Sequence, residues 1–87
     1  MHETKPLSPE IKKRVLVMQQ NELTEYHIYT KVASFVKNPE NKATLLKIAN
    51  EEHRHCQIWE TFTKEKVQPI RWKIWWYTLL SVIFGYT

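Results

Sequence analysis

Apolar residues recur along the first part of the chain with the alternating three- and four-residue spacing of one helix face. They lie at Ile11, Val15, Met18, Tyr29, Val32 and Val36. The same spacing passes through Glu22 and Glu25, so the predicted seam is apolar at both ends and acidic in the middle. The pattern predicts a first helix that packs along this seam and carries polar chemistry halfway along its length.

The next segment of the chain repeats this design. Its apolar seam runs through Leu45, Ile48, Trp59 and Phe62, and the two middle positions hold Glu52 and His55. The spacing therefore predicts a second helix with apolar ends and two side chains of the metal-ligand type at its centre.

Capping residues predict where these two helices begin. Ser8 is a favourable N-cap, and Pro9 suits the first helical position after it. Asn38 and Pro39 repeat the arrangement, which predicts the end of one helix and the start of the next. Because the connection is short, we expect the two helices to form an antiparallel hairpin.

The four polar seam residues are expected to meet at one level of this hairpin. Glu22 and Glu52 are each about 15 residues from the turn, or about 22 Å along a helix. Glu25 and His55 lie within one helical turn of that level. Buried carboxylates without partners cost several kcal/mol or become protonated, so their convergence needs a chemical reason.

Metal binding is the chemistry that this pattern favours. Glu52 and His55, three positions apart, project from one helix face, and Glu22 faces them from the other helix. Ferritin-like carboxylate sites use one Glu from each of two helices and a Glu-x-x-His pair from each of two others, so one hairpin supplies half a set. Oxygen ligands with one imidazole per metal suit iron, with manganese or zinc as alternatives.

Other polar residues near the seam keep more than one interpretation. Glu25 is a direct ligand, a partner of a ligand, or half of an ion pair. Tyr29 is either a packing aromatic or a hydroxyl that hydrogen-bonds a ligand carboxylate. We expect His27 to be a surface or interface residue, His53 to be a surface residue, and Cys56 to be small, buried and inert.

Composition limits the remaining possibilities. The chain has 87 residues, a single glycine and a single cysteine, which favours one small all-α domain without an internal disulfide. The net charge is +4 but the lysines are scattered, so we expect no nucleic-acid partner. The polar N-terminus does not resemble a secretory signal, so a cytoplasmic protein is expected.

The C-terminal segment is apolar on every side and too short to span a membrane. We divide the chain into a tail over residues 1–7, the hairpin over 8–68 and an apolar connector over 69–87. The cluster of Trp72, Trp75 and Trp76 is expected in a core or subunit interface. The alternative is a helix lying on the cytoplasmic face of a membrane, flanked by Arg71 and Lys73.

The stretches "NELTEYHIY" and "IANEEHRHCQIWE" resemble the paired helices of the rubrerythrin and ferritin-like di-iron family. Glu22 and Tyr29 match its Glu-x6-Tyr element, and Glu52 and His55 match its Glu-x-x-His element. Over about residues 8–66 the chain is most similar to the rubrerythrin-like domains that precede a vacuolar-iron-transporter-type membrane region, the membrane-bound ferritins. The family's second hairpin and its C-x-x-C electron-transfer centre are not in this sequence.

This resemblance implies a di-iron centre that oxidises Fe(II) with O2 or peroxide, in iron handling or protection against oxidative stress. Glu22 would be the ligand from the first helix, and Glu52 would bridge the irons. The His55 of each copy would supply the imidazole of one iron. A homodimer, or a higher oligomer built from dimers, would complete the four-helix bundle. The alternative is a non-catalytic helical dimerisation module whose tail docks on a partner or a membrane.

Overall fold

The computed structural model describes residues 7–85, and within them every regular element is helical. Helix α1 spans Pro9–Phe35, α2 spans Pro39–Thr63 and α3 spans Arg71–Ile83. No strand occurs in residues 7–85, so the all-α prediction is confirmed. The predicted tail lies outside the described residues except for its last residue, Leu7.

The first two helices begin where the capping residues predict. The Ser8 hydroxyl accepts a hydrogen bond from the backbone N–H of Ile11 at 3.3 Å. The Asn38 side chain accepts from Glu40 and Asn41 at 2.9 and 3.0 Å. These bonds satisfy N–H groups that have no partner within the helix. The positions of both helix starts are therefore determined by local sequence.

Small side chains form the line of closest contact between α1 and α2. The buried residues along it are Val15, Gln19, Ala33, Ala49, Cys56 and Thr63. The Thr63 hydroxyl donates to the Gln19 side-chain oxygen at 2.8 Å, so the buried polar groups are paired. This line shares Val15 with the predicted seam, whose members Ile11 and Met18 are 46% and 44% exposed.

The predicted seam is buried only in part. Val15, Val32, Val36 and Leu45 are buried, and the last three form the apolar core of the hairpin together with Ala33. Ile11, Met18 and Phe62 are exposed, whereas the polar Gln19 and Thr63, which a hydrophobic pattern does not select, are buried.

Residues 64–70 form a linker that crosses over α1. The side-chain amides of Gln19 and Gln20 donate to the backbone oxygens of Glu65 and Gln68 at 2.8 and 2.9 Å. The backbone N–H of Ile70 donates to the Thr24 hydroxyl at 2.9 Å. Helix α3 then packs against α1, and within the described residues its Cα atoms do not approach those of α2 within 8 Å. Helix α1 therefore lies between the other two.

The three helices form a single layer. The Cα extents are 46 × 28 × 14 Å, and the radius of gyration is 15.3 Å against about 12 Å for a compact domain of this length. Because domains normally bury their apolar faces between two layers, one chain leaves apolar surface uncovered. Within one chain only Thr78 of α3 is fully buried, and the expectation that the tryptophans lie in a core or a subunit interface stays a prediction. No helix in residues 7–85 combines the length and apolarity needed to cross a membrane.

Candidate metal centre

The four predicted ligands lie together on one face of the hairpin, which we call the open face. The Nδ1 atom of His55 is 3.8 Å from Oε1 of Glu22 on the other helix. The same Nδ1 atom is 3.7 Å from Oε1 of Glu52, one turn earlier on its own helix. The two glutamates thus meet at one level, as their distances from the turn predict.

Glu25 joins this cluster through Glu52. A hydrogen bond between the two carboxyl groups is the largest influence on Glu25 and, with burial and the negative charge of Glu52, raises its pKa to about 7. The ammonium group of Lys73 on α3 acts in the opposite direction. A carboxyl group with a raised pKa holds a proton near neutral pH that a bound cation would displace.

Glu22 is the most isolated of the four side chains. Its Oε2 atom is buried and has no hydrogen-bond partner within the described part of the chain. The pKa of this carboxyl is raised, mainly by burial and also by the charge of Glu25. The charge of His55 and a hydrogen bond with Trp59 act in the opposite direction. A buried carboxylate oxygen without a donor is costly, and a bound cation would satisfy it.

The spacing of the donor atoms fits a first-row transition metal. Two donors each about 2.1 Å from one ion lie at most about 4.2 Å apart, and the His55–Glu22 and His55–Glu52 distances are below this limit. Within residues 7–85, no three His, Cys, Asp or Glu side chains are arranged to hold an ion as they stand. The site needs additional ligands or a small movement of those present.

The members of the cluster differ in exposure. The side chains of Glu22 and Glu52 are 22% and 18% exposed, whereas that of His55 is 43% exposed. The two carboxylates are therefore more buried than the imidazole.

Tyr29 lies next to this cluster. It packs against the buried residues Val32 and Leu45 and lines a groove with Glu25 and, from α3, Tyr77. The proposed hydrogen bond from its hydroxyl to a ligand carboxylate stays a prediction, as does direct ligation by Glu25.

Two participants were missed by the sequence patterns. Trp59 reaches Glu22, a role that its seam position four residues after His55 could have suggested. Lys73 acts on Glu25 from the third helix. No sequence signal identifies Lys73, because its position depends on the path of the linker over α1.

The opposite face of the hairpin, which we call the linker face, carries two further histidines. The Tyr26 ring lies 4.5 Å from that of His53 and 4.9 Å from that of His27, centroid to centroid. Both histidines lie at the surface of the hairpin but are half-buried. Burial, and next the charge of His53, lower the pKa of His27.

Cys56 is buried, as predicted, on the contact line between the two faces. Burial raises the pKa of its thiol, and the charges of Glu60 and Glu22 raise it further. The thiol therefore stays protonated near neutral pH, which favours a packing role over a reactive one.

Comparison with protein-family models, with curated proteins and with solved structures finds no match for this chain. A function therefore has to be inferred from the geometry and chemistry of the open face.

Proposed function

We propose that this chain is a ferritin-like di-iron carboxylate protein that binds iron between two copies and oxidises Fe(II) with O2 or peroxide. The observation that carries the proposal is the convergence of Glu22, Glu52 and His55, with donor atoms less than 4 Å apart. Glu25 extends the cluster with a carboxyl group that shares a proton with Glu52. The rubrerythrin-like spacing of the motifs in α1 and α2 supports the same assignment.

A second copy would supply what one hairpin lacks. Two open faces related by a two-fold axis would bring together four helices with a doubled set of Glu22, Glu52 and His55, which matches the ligand number of a di-iron carboxylate site. The exposed Ile11, Met18 and Phe62 would then be buried between the layers. Apolar surface beside the cluster therefore supports dimerisation through this face.

Each side chain has a distinct task in this proposal. Glu22 supplies a carboxylate oxygen that now has no hydrogen-bond partner in the described residues. Glu52 contacts both His55 and Glu25 and would be the bridging ligand. Glu25, whose pKa is raised, would give up its proton as positive charge enters the site. Iron bound there would supply the electrons for reduction of O2 or peroxide, and the carboxylates would stabilise the higher charge of Fe(III).

The test is metal content measured together with molar mass by light scattering. We expect about one iron per chain in a dimer, since a di-iron site is shared by two chains. Glu52→Ala with His55→Ala should remove the bound metal. The matched control, Glu51→Ala with His53→Ala, changes the same residue types next to these positions and should retain it. Iron binding that survives the first double substitution would reject the proposal.

A second candidate function is a non-catalytic helical dimerisation module. The exposed apolar side chains on the open face and on α3 favour it, because they point to assembly irrespective of any metal. A dimer that binds neither iron nor manganese would support this function over the first. Both metals should be tested, with zinc as a third, because the donor set accepts all three.

A further inference from the structure

A continuous apolar stripe runs along the outer side of α3. It consists of Trp72, Trp75, Trp76, Leu79, Val82 and Ile83, each between 48% and 67% exposed. Their spacing of three and four residues places them on one face of the helix. We call this set the outer stripe.

The position of α3 leaves the outer stripe uncovered. The helix lies at the edge of the layer, and its packing within the described residues is against α1. Thr78, the one residue of α3 that is fully buried, is on the inner side. Six large apolar side chains on one exposed face are more than the scattered apolar residues of an ordinary protein surface.

Positive charges surround the tryptophans of this stripe. The Lys31 ammonium lies 4.2 Å from the Trp75 ring centroid, and that of Lys73 lies 5.8 Å from the Trp72 centroid. Arg71 begins the helix, and the helix contains no Asp or Glu. Tryptophan beside lysine or arginine is typical of segments at a membrane surface, where indole rings lie at headgroup level.

We propose that the outer stripe of α3 docks on an anionic membrane surface, with the helix lying in the plane of the lipid headgroups. The tryptophans and aliphatic side chains would enter the boundary of the acyl chains. Lys31 and Arg71 would meet the lipid phosphates, each contributing to the preference for anionic lipid, whereas Lys73 lies towards Glu25.

The charge around the stripe favours a membrane over a second copy of this chain. A second copy would bring Lys31 and Arg71 opposite the same positive charges, because α3 contains no Asp or Glu. An anionic lipid surface complements these charges, needs no complementary shape and accepts a single helix face.

The test is flotation of the full chain with vesicles of phosphatidylcholine alone or mixed with phosphatidylglycerol. We expect binding to the mixed vesicles, with a blue shift of tryptophan emission and quenching by lipids brominated near the headgroup. Arg71→Gln should weaken this binding about fivefold, as one fewer basic contact predicts. Replacement of Trp72, Trp75 and Trp76 by serine should weaken it more than about tenfold.

Two exposed apolar residues on the hairpin provide the matched control. Val17→Ser with Leu46→Ser removes exposed apolar surface away from α3 and should leave vesicle binding unchanged. Circular dichroism of every variant checks that helix content is retained. The tryptophan variant removes no side chain of the metal cluster, so iron binding also reports whether its hairpin is intact.

Two results would overturn the proposal. One is that the wild-type chain binds neither kind of vesicle. The other is that the tryptophan variant binds the mixed vesicles as well as the wild type does, whether its molar mass stays the same or falls; a fall in molar mass would show loss of an oligomer. That last result would identify the outer stripe as an interface between copies of this chain.

Discussion

The two faces of the hairpin carry similar side chains at the same level but arrange them differently. On the open face, one imidazole lies within 4 Å of carboxylates from both helices. On the linker face, the imidazoles of His27 and His53 lie against Tyr26. His53 also lines a groove that is partly closed by Lys66 and Val67 of the linker.

This difference shows that residue type alone does not make a metal site. His53 and His55 are two positions apart, which turns them about 200° from each other around the helix. Only His55 faces Glu22 and Glu52, whereas the ring of His53 lies against that of Tyr26. The carboxylate partners across the hairpin, rather than the histidines themselves, distinguish the open face.

The largest expected effect separates the two histidines. His55→Ala should lower iron affinity at least about 100-fold, because it removes a metal ligand itself rather than a residue that only hydrogen-bonds a ligand. His53→Ala should change affinity by less than about twofold. Titration with Fe(II) under anaerobic conditions measures both. Equal losses in the two variants would break the distinction between the faces.

The next effect tests the linker that covers one face. Gln19 is fully buried and bonds both Thr63 and the backbone of Glu65, so Gln19→Ala removes two buried hydrogen bonds and leaves only the longer Thr63–Glu65 contacts of 3.3 and 3.4 Å. We expect a loss of about 2 kcal/mol in the free energy of unfolding. Urea unfolding measures this loss.

The matched control for this substitution is Gln20→Ala. Gln20 makes one exposed bond to the linker and should cost less than about 1 kcal/mol. If both substitutions cost the same, Gln19 would not hold the linker in the way its buried hydrogen bonds indicate.

A smaller effect concerns the indole of Trp59. Trp59→Phe keeps the aromatic ring but removes the N–H group that hydrogen-bonds Glu22, so the pKa of Glu22 should rise further. We expect iron affinity to fall about tenfold at neutral pH. Tyr26→Phe, the matched change on the linker face, should leave it unaltered. If Trp59→Phe leaves the iron affinity unchanged, Trp59 has no role in the metal site.

The smallest effect is a pH dependence of stability in the metal-free protein. The pKa of Glu25 is about 7 in the folded chain, above its ordinary value of 4.5. The folded state therefore holds this proton more strongly than the unfolded state, and its contribution to stability is lost as the pH rises from 4.5 to 7. Glu25→Gln abolishes this dependence, so the stability of the variant relative to that of the wild type should increase as the pH rises.

Urea unfolding of both proteins at about pH 5 and about pH 7.5 measures this difference. The comparison with the variant is needed because the lowered pKa of His27 makes the free energy of unfolding rise with pH, opposite to the effect of Glu25. A difference between the two proteins that does not change with pH would contradict a shared proton between Glu25 and Glu52.

Local sequence was sufficient for some of these features. Ser8 and Asn38 determine the helix starts through hydrogen bonds made within three residues, so their positions could be predicted. Glu22 and Glu52 could be paired because helical rise is constant and the connection between α1 and α2 is short. Both predictions depend on the geometry of single helices and one turn.

Features that depend on tertiary packing were not predictable in the same way. The contact line of the hairpin runs through Gln19 and Thr63, whose polarity hides it from a hydrophobic pattern. The approach of Lys73 to Glu25 requires the crossing of α1 by the linker. Burial of His53 likewise depends on the partner helix, which brings Tyr26 against it.

The most direct test of the central claim is an anomalous diffraction map of crystals grown with iron. We predict two iron peaks on the open face, ligated by Glu22, Glu52 and His55 from each of two copies, and no peak beside His27 and His53. Iron peaks on the linker face, or crystals of an iron-loaded protein with no peak among the open-face carboxylates, would contradict the account.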